Sequence, residues 1–242
     1  MIKKGVILAG GTGTRLYPAT KITNKHLLPI YNRPMIYYPI ETLKRAGIEE
    51  VLIICGDEHA GDFTRLLQDG DEFGMHFTYR VQVGSGGIAQ ALSLAENFAC
   101  NENIAVILGD NIYEDDFSDI ISDFEQGAHI FLKKVHDPER FGVAELDKNK
   151  KVINIEEKPL KAKTNYAATG LYLYDKTVFD KIKKCKPSTR GELEITDVSN
   201  MYINSSEMTA SFCQGEWTDA GTHESFFRAS SIARDLILKN EI

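Results

Sequence analysis

Short apolar runs alternate with segments of helical period along the first half of the chain. Runs of strand length, rich in β-branched residues, predict strands over 6–9, 49–55, 76–82 and 104–110. Apolar positions at helical spacing predict helices over 33–47, 58–68 and 87–98. The first helix would carry Pro34 near its first turn, a kink at Pro39 and Gly47 at its end. Strands that alternate with helices are typical of βαβ units and a mostly parallel sheet.

The second half of the chain has a different pattern. Two strands are predicted within 142–159, on either side of a polar turn, and a third over 165–175. Helices are predicted over 191–203 and 222–240. No repeat, low-complexity segment or linker separates the halves. We therefore expect a single α/β domain over residues 1–242 with additions that make its sheet mixed.

The first predicted strand leads directly into a glycine-rich segment, Gly10-Gly11-Thr12-Gly13-Thr14, followed by Arg15. Glycines let the backbone approach a ligand closely, and phosphates are held by backbone N–H groups and positive charge. We predict a phosphate-binding loop; the alternative is an ordinary tight turn with a surface arginine. The dinucleotide fingerprint would need glycine in place of Leu16, and the P-loop would need a lysine after its last glycine.

Polar side chains follow two further strands. Gln82 ends the strand over 76–82 and offers both a donor and an acceptor, which suits the edge of a nucleobase, although a loop-capping amide is equally compatible. Asp110 directly follows IAVILG and is a candidate Mg²⁺ ligand or a helix N-cap. Asp219 is a second candidate ligand. It is also a candidate cap of the last helix, where either Thr222 serves as the cap instead or Asp219 fills both roles.

Composition narrows the class of protein. The chain has 242 residues, 43% apolar content and a net charge of −7, which argues against nucleic-acid binding. A polyanionic ligand would therefore need a few local cations and a metal ion. Four scattered cysteines favour neither a zinc site nor a disulfide framework, and no leader or membrane-spanning segment is evident. We expect a cytoplasmic protein without a membrane partner.

Nine blocks between residue 3 and about 228 occur in an order that identifies a family: KGVILAGGTGTRLYPAT, NKHLLPIYNRPMIYYPIETL, VQVGSGGIAQAL, ILGDNIY, DPERFGVAEL, EEKP, NYAATGLYLYD, RGELEITDVSNMYI and WTDAGTHES. The sequence resembles the sugar-1-phosphate nucleotidyltransferases, and within them the glucose-1-phosphate thymidylyltransferases. The resemblance implies a Rossmann-like nucleotidyltransferase fold with a mostly parallel mixed central sheet flanked by helices. A nucleotide-binding part of about 1–110 would precede a sugar-binding part of about 111–230.

The same resemblance implies a reaction. Glucose 1-phosphate would attack the α-phosphorus of dTTP with the help of Mg²⁺, giving dTDP-glucose and pyrophosphate, the first step of dTDP-deoxysugar synthesis. Two alternatives are open: the same chemistry with UTP or another hexose 1-phosphate, and a catalytically silent sugar-nucleotide sensor. A homo-oligomer, either a tetramer or a dimer, is also implied.

The resemblance assigns residues to each role. Catalysis would involve Arg15, Lys25 and Asp110, and Mg²⁺ would be held by Asp110 and Asp219, with Trp217 packed beside the latter. The nucleotide would contact Leu8, Gly10, Gly11, Thr12, Gly13, Thr14, Arg15, Gln82, Gly87 and Asp110. The sugar phosphate would contact Lys25, Gly142, Glu157, Lys158, Ala168, Thr169, Tyr172 and Arg190.

Three features depart from the longer members of the family. His26 stands where they carry glutamine, Ala220 where they carry threonine, and the segment 83–86 lacks their proline. The longer members also extend beyond the position of Ile242, and their tail contributes to a regulatory nucleotide site and an oligomer contact. On that basis we expect only weak inhibition by dTDP-rhamnose, competitive with dTTP.

Overall fold

The computed structural model describes residues 1–239, in which helices cover both faces of a mixed nine-stranded sheet. The strands are β1 (Lys4–Ala9), β2 (Pro29–Ile30), β3 (Arg33–Pro34), β4 (Glu50–Gly56), β5 (His76–Gln82), β6 (Ile104–Leu108), β7 (Asn111–Tyr113), β8 (Ala128–Lys134), β9 (Gly142–Leu146), β10 (Val152–Glu157), β11 (Tyr166–Tyr174), β12 (Met208–Phe212) and β13 (Trp217–Asp219). The helices are α1 (Tyr37–Arg45), α2 (Ala60–Leu67), α3 (Ile88–Ser93), α4 (Glu96–Ala99), α5 (Ser118–Ser122), α6 (Val178–Ile182), α7 (Ile195–Asn204) and α8 (His223–Leu238).

The order of strands in the main sheet brings the two halves of the chain together. The path β10-β9-β11-β6-β1-β4-β5 is parallel from β6 to β5, whereas β11 runs antiparallel to β6 and also pairs with β8, which pairs in turn with β12. The predicted mixed sheet flanked by helices is therefore confirmed. The division of the chain at about residue 110 stays a prediction, since the sheet continues across it.

Alternation along β1 explains why its sequence is apolar throughout. Ile7 and Ala9 pack into the core that contains α1 and α2, whereas Val6 and Leu8 pack into the core of α3, α6 and α7 on the opposite face. A parallel strand buried on both faces reads as a continuous apolar run. None of the helices within residues 1–239 combines the length and apolar character that crossing a membrane requires.

The helix predicted over 33–47 is shorter than expected. Residues 33–34 instead pair with β2 in a small hairpin, and α1 begins at Tyr37. Pro39 consequently lies in the first turn of α1, where a backbone N–H has no helical partner to lose, so the expected kink is wrong. Gly47 follows the end of the helix with φ of 75°, as predicted for a helix terminus.

The second half contains strands that the sequence pattern did not predict: β7, β8, β12 and β13. The helix predicted over 191–203 begins only at Ile195, and the helix predicted over 87–98 is interrupted between α3 and α4. Thr222 caps α8 through a reciprocal hydrogen-bond pair with Ser225, so Asp219 is not the cap. Of the helix predicted over 222–240, residue 240 lies outside the described residues.

Asn111, buried at the start of β7, connects three strands. Its side-chain oxygen accepts hydrogen bonds from the Trp217 indole nitrogen at 2.8 Å, the Gly170 backbone nitrogen at 3.0 Å and the Tyr113 hydroxyl at 3.2 Å. Its amide nitrogen donates to the Asp110 carboxylate at 3.0 Å. One side chain therefore fixes β7, β11 and β13 around an acidic group.

Replacing Asn111 should destabilise the protein strongly. In Asn111→Leu the buried Trp217 and Gly170 donors lose their acceptor, and each unsatisfied buried group costs roughly 1–3 kcal/mol. We expect the free energy of unfolding, measured by urea denaturation, to fall by about 2–4 kcal/mol. Asn103→Leu, which removes one exposed hydrogen bond to Glu125, is the control. Equal effects of the two substitutions would contradict the connecting role of Asn111.

Candidate active site

A cavity of about 370 Å³ at the carboxyl ends of β1, β5 and β6 brings together residues predicted from both halves of the chain. The predicted residues that line it are Leu8, Gly10, Gly11, Thr12, Arg15, Lys25, Gln82, Gly87, Asp110, Gly142, Glu157, Lys158, Ala168, Thr169, Tyr172, Arg190 and Asp219, together with Trp217. Gly13 and Thr14 belong to the loop but are not among the residues that line the cavity. The roles assigned to these residues stay predictions.

Close packing explains the glycines of the loop after β1. A Cβ atom on Gly10 would lie 2.1 Å from the Gln82 side-chain oxygen, and one on Gly13 would lie 2.9 Å from the Lys25 Cβ. Gly13 also has φ of 66°, a left-handed conformation that favours glycine. The glycines therefore allow two polar side chains of the cavity to approach the loop backbone.

Lys25 and Asp110 form an ion pair at the end of β6. The Lys25 ammonium donates to the Asp110 carboxylate at 2.5 Å, and both side chains are almost buried. Burial is the largest single influence and would raise the pKa of Asp110, but the Lys25 charge and the hydrogen bonds from Lys25 and Asn111 act together against it, and the pKa lies well below its usual range. Because β6 lies between β1 and β11, this pair stands between the glycine-rich loop and the second half of the chain.

Backbone pairing holds Asp219 beside Asp110. Asp219 ends β13 opposite Asn111 of β7, and the next backbone nitrogen, that of Ala220, donates to the Asp110 carbonyl at 2.8 Å. Burial raises the pKa of Asp219, and the negative charge of Asp110 raises it further, while the charges of Arg140 and Arg15 lower it. Two carboxylates thus share one small region of the cavity.

This carboxylate pair fits a hard divalent cation. Mg²⁺ prefers oxygen ligands and usually takes only one or two protein carboxylates beside phosphate oxygens and water. Within residues 1–239 there is no cluster of three or more acidic, histidine or cysteine side chains arranged to hold a metal ion. Asp110 and Asp219 are therefore the described residues best suited to hold one together with a phosphate ligand.

Arg140 is a cavity residue to which the sequence analysis gave no role. Its Nη2 atom donates to both Asp219 oxygens at 2.8 and 2.7 Å, and its Nη1 atom donates to Asp137 at 2.9 Å. The guanidinium compensates part of the repulsion between the two carboxylates. The signal was present, since Arg140 lies in the DPERFGV block, but a single arginine in a loop does not reveal its distant partner.

A bulge in β11 shapes the opposite side of the cavity. The register of β11 with β8 shifts between Ala168 and Tyr172, and bulges of this kind redirect side chains next to binding sites. The Thr169 hydroxyl is buried here and has no hydrogen-bond partner among the described residues. It is suited to a hydrogen bond with a ligand.

Glu157 and Lys158 are consecutive residues that both line the cavity. Neighbouring side chains in a strand point to opposite faces, but Lys158 has φ of 43°, and this left-handed conformation ends the alternation. Burial raises the pKa of Glu157, whereas the adjacent Lys158 ammonium opposes that increase. Glu157 therefore presents a hydrogen-bond acceptor to the cavity, and Lys158 presents a cation beside it.

Glu194 holds Arg190 at the rim of the cavity. The two Glu194 oxygens accept from the Arg190 Nη2 atom at 2.9 and 2.8 Å, and the Ser188 hydroxyl donates to Glu194 at 2.7 Å. Glu194 is buried, whereas Glu192, a second partner at 3.2 Å, is more exposed. The backbone of Glu194 itself is extended, with φ of −82° and ψ of 136°, and α7 begins only at the next residue, Ile195.

His26 is buried beside Lys25 and lines the cavity. Its Nδ1 atom lies 2.7 Å from the Asn24 side-chain oxygen. Burial and the neighbouring Lys25 charge lower the pKa of His26 to about 3, so its imidazole is neutral at physiological pH. His26 therefore contributes to the site by the packing of its ring against Gly109, and it contributes no charge.

Comparisons with known proteins agree with this geometry. The nucleotidyl transferase family profile matches residues 4–235. A glucose-1-phosphate thymidylyltransferase from Neisseria meningitidis is 45% identical, and the match covers 96% of this chain and 82% of that protein. One from Mycobacterium tuberculosis is 40% identical, and the match covers 96% of this chain and 83% of that protein. A Bacillus anthracis crystal structure with a sucrose, provisionally assigned to the same enzyme, is 55% identical with a TM-score of 0.92 over 96% of this chain and 95% of that one. A UDP-glucose pyrophosphorylase bound to UDP-glucose is 25% identical with a TM-score of 0.85, covering 97% and 99%.

The contact between Glu194 and Arg190 generates a prediction. If Glu194 orients the guanidinium for an anionic group, Glu194→Gln should raise the KM for a sugar phosphate roughly tenfold, because charge-assisted hydrogen bonds are about twice as strong as neutral ones. The KM for the nucleotide should change little. Glu192→Gln is the matched control, and its effect should be smaller. A larger effect of Glu192→Gln in the same steady-state measurements would contradict the role of Glu194.

Proposed function

We propose that this chain, which belongs to the nucleotidyl transferase family, transfers the thymidylyl group of dTTP to glucose 1-phosphate and releases pyrophosphate. Curated relatives at 40–45% identity bear the name of that enzyme. The observation that carries the proposal is a single cavity with a glycine-rich loop and Arg15 on one side and Glu157, Thr169 and Arg190 on the other. The product is dTDP-glucose.

The reaction needs no nucleophile from the protein. A phosphate oxygen of glucose 1-phosphate forms a bond to the α-phosphorus of dTTP, and the bond to the bridging oxygen breaks. Pyrophosphate leaves with that electron pair. Catalysis of this kind consists of positioning and charge stabilisation. Arg15 and Lys25 are the cations nearest the glycine-rich loop. We assign to them the stabilisation of the negative charge that develops on the phosphates.

We further propose that Asp110 and Asp219 hold Mg²⁺. When bound, the ion neutralises phosphate charge and raises the electrophilicity of the α-phosphorus. The two carboxylates alone would repel a triphosphate in a protein whose net charge is already −7. Arg140, as the partner of Asp219, keeps that carboxylate oriented.

The second half of the site suits a sugar phosphate. Glu157 can accept hydrogen bonds from two sugar hydroxyls, which gives strong and directional contacts. Thr169 offers its unpartnered hydroxyl at the β11 bulge. Lys158 and Arg190 would bind the phosphate of the sugar, opposite the loop that would bind the nucleotide.

Three wider assignments belong to the same proposal. The four unpaired cysteines are consistent with a reducing, cytoplasmic location. The homo-oligomer implied by the family resemblance, either a tetramer or a dimer, stays part of the proposal. The product would supply the synthesis of dTDP-deoxysugars.

A matrix of nucleoside triphosphates and hexose 1-phosphates, assayed by pyrophosphate release, tests the function. We expect the highest kcat/KM with dTTP and glucose 1-phosphate. UTP should follow within a factor on the order of tens, because one methyl group adds little discrimination. Preference for a different pair would contradict the proposed substrates. Nucleotide binding without turnover of any pair would favour the sugar-nucleotide sensor.

Arg15→Ala is the inactive control for that assay. Loss of a cation that stabilises the transition state should lower kcat by roughly a hundredfold or more, with a smaller change in KM. Lys21→Ala removes an exposed cation nearby and should leave turnover unchanged.

Metal dependence is a separate prediction. EDTA should abolish turnover and added Mg²⁺ should restore it, because Asp110 and Asp219 alone cannot receive a triphosphate. Asp110→Asn should lower kcat by roughly a hundredfold or more while the thermal unfolding transition remains cooperative. Asp180→Asn, an exposed substitution on α6, is the control. Full activity of Asp110→Asn, or full activity in EDTA, would remove the metal from the proposal.

A further inference from the structure

Gln90, in the third position of α3, is not among the described residues that line the cavity, but its side chain reaches one that does. The Gln90 side-chain oxygen accepts a hydrogen bond of 2.6 Å from the amide nitrogen of Gln82. Gln82 is buried at the end of β5, while Gln90 packs on the backbone of Gly86, where a Cβ atom would lie 2.8 Å from the Gln90 Cγ. The two carboxamides therefore form a connected pair behind the cavity wall.

The surroundings of Gln82 determine which way its amide faces. Its nitrogen lies 3.5 Å from the backbone carbonyl of Gly87 as well as 2.6 Å from the Gln90 oxygen. A backbone carbonyl can only accept, so the nitrogen belongs on that side. The Gln82 oxygen then faces Gly10, whose missing Cβ leaves room for it.

The opposite orientation is disfavoured by the same atoms. Rotating the Gln82 amide by half a turn would place its oxygen against the Gly87 carbonyl and the Gln90 oxygen. Rotation of the Gln90 amide as well would repair one of these contacts but leave the two carbonyl oxygens of Gln82 and Gly87 opposed. Gln90 thus adds to a preference that the fixed backbone already imposes.

The orientation has a chemical consequence for a pyrimidine base. Thymine and uracil present an N–H donor at position 3, whereas cytosine presents an acceptor there and a donor at position 4. A fixed acceptor at Gln82 can accept a hydrogen bond from the N3–H group of thymine or uracil, but it would face the N3 acceptor of cytosine. A site built around such a hydrogen bond rejects the wrong partner strongly, because a buried polar group would be left unpaired.

We propose that Gln90 is a positioning residue that fixes the orientation of the Gln82 carboxamide, so that the cavity presents an acceptor to the base and selects thymine and uracil over cytosine nucleotides. The inference rests on the proposed function, in which Gln82 contacts the base of the triphosphate. Gln90 acts through Gln82 and has no contact with substrate of its own.

Three substitutions of similar size separate the acceptor of Gln90 from its bulk. Gln90→Glu keeps an acceptor, Gln90→Met removes it, and Gln90→Lys replaces it with a donor. The measurement is the ratio of kcat/KM for dTTP to that for dCTP, each with saturating glucose 1-phosphate. The ratio should be preserved in Gln90→Glu, fall roughly tenfold or more in Gln90→Met and fall further in Gln90→Lys. The KM for glucose 1-phosphate should stay constant.

A purely structural role would give a different pattern. In Gln90→Met it would lower kcat/KM for dTTP and for dCTP by the same factor and leave their ratio unchanged. That result would overturn the proposal. Loss of the preference in Gln90→Glu to the same extent as in Gln90→Met would overturn it as well. Gln126→Met, an exposed substitution distant from the cavity, controls for the new side chain.

Binding measurements keep this test independent of the proposed function. The dissociation constants of dTTP and dCTP are determined by calorimetry on the full chain. The preference for dTTP in binding should be preserved in Gln90→Glu, smaller in Gln90→Met and smallest in Gln90→Lys. A protein that turned over no substrate pair but lost its dTTP preference in Gln90→Met would contradict the enzymatic function and support the role of Gln90. An active enzyme in which Gln90→Met left the ratio of dTTP to dCTP unchanged would support the enzymatic function and contradict the role of Gln90.

Discussion

The burial of two carboxylates, Asp110 and Asp219, at one edge of the sheet is the constraint on which the site depends. Desolvation and mutual repulsion both oppose their ionisation, and the pKa of Asp219 is raised accordingly. Lys25 and Arg140 supply the compensating charges, while the pairing of β7 with β13 prevents the acids from separating. This arrangement concentrates cations and oxygen ligands where a phosphate and a divalent ion could bind, within an acidic protein.

The main sheet determines how this centre meets the rest of the cavity. β6 ends at the carboxylates and lies between β1, which carries the glycine-rich loop, and β11, which carries the bulge at Thr169. A second connection joins the two halves, because the Leu193 backbone nitrogen donates to the Gly86 carbonyl at 2.8 Å. The halves therefore share one wall of the cavity and are fixed relative to each other by backbone hydrogen bonds.

Local pattern and family blocks predicted the parallel strands well, since β5 matches its predicted range over 76–82 and β1, β4 and β6 lie within a few residues of theirs. Their apolar runs are buried on both faces, so the local signal and the tertiary environment agree. The prediction failed where a long-range partner decides the structure. β8 becomes a strand because it lies between β11 and β12, and the segment before α7 stays extended because Leu193 pairs with Gly86.

The site residues followed the same division. The fold brings residues of the quoted blocks into one cavity. Arg140, Glu194 and Gln90 also lie in those blocks, but the side chain that each one contacts is visible only in the folded structure. Binding of anions and selection of the base also rest on different physics. The charged pairs act over several ångströms and are screened by salt, whereas the neutral amides of Gln82 and Gln90 act only through direct hydrogen bonds of fixed direction. Base preference should therefore respond to the orientation of the amides independently of the charges that bind the phosphates.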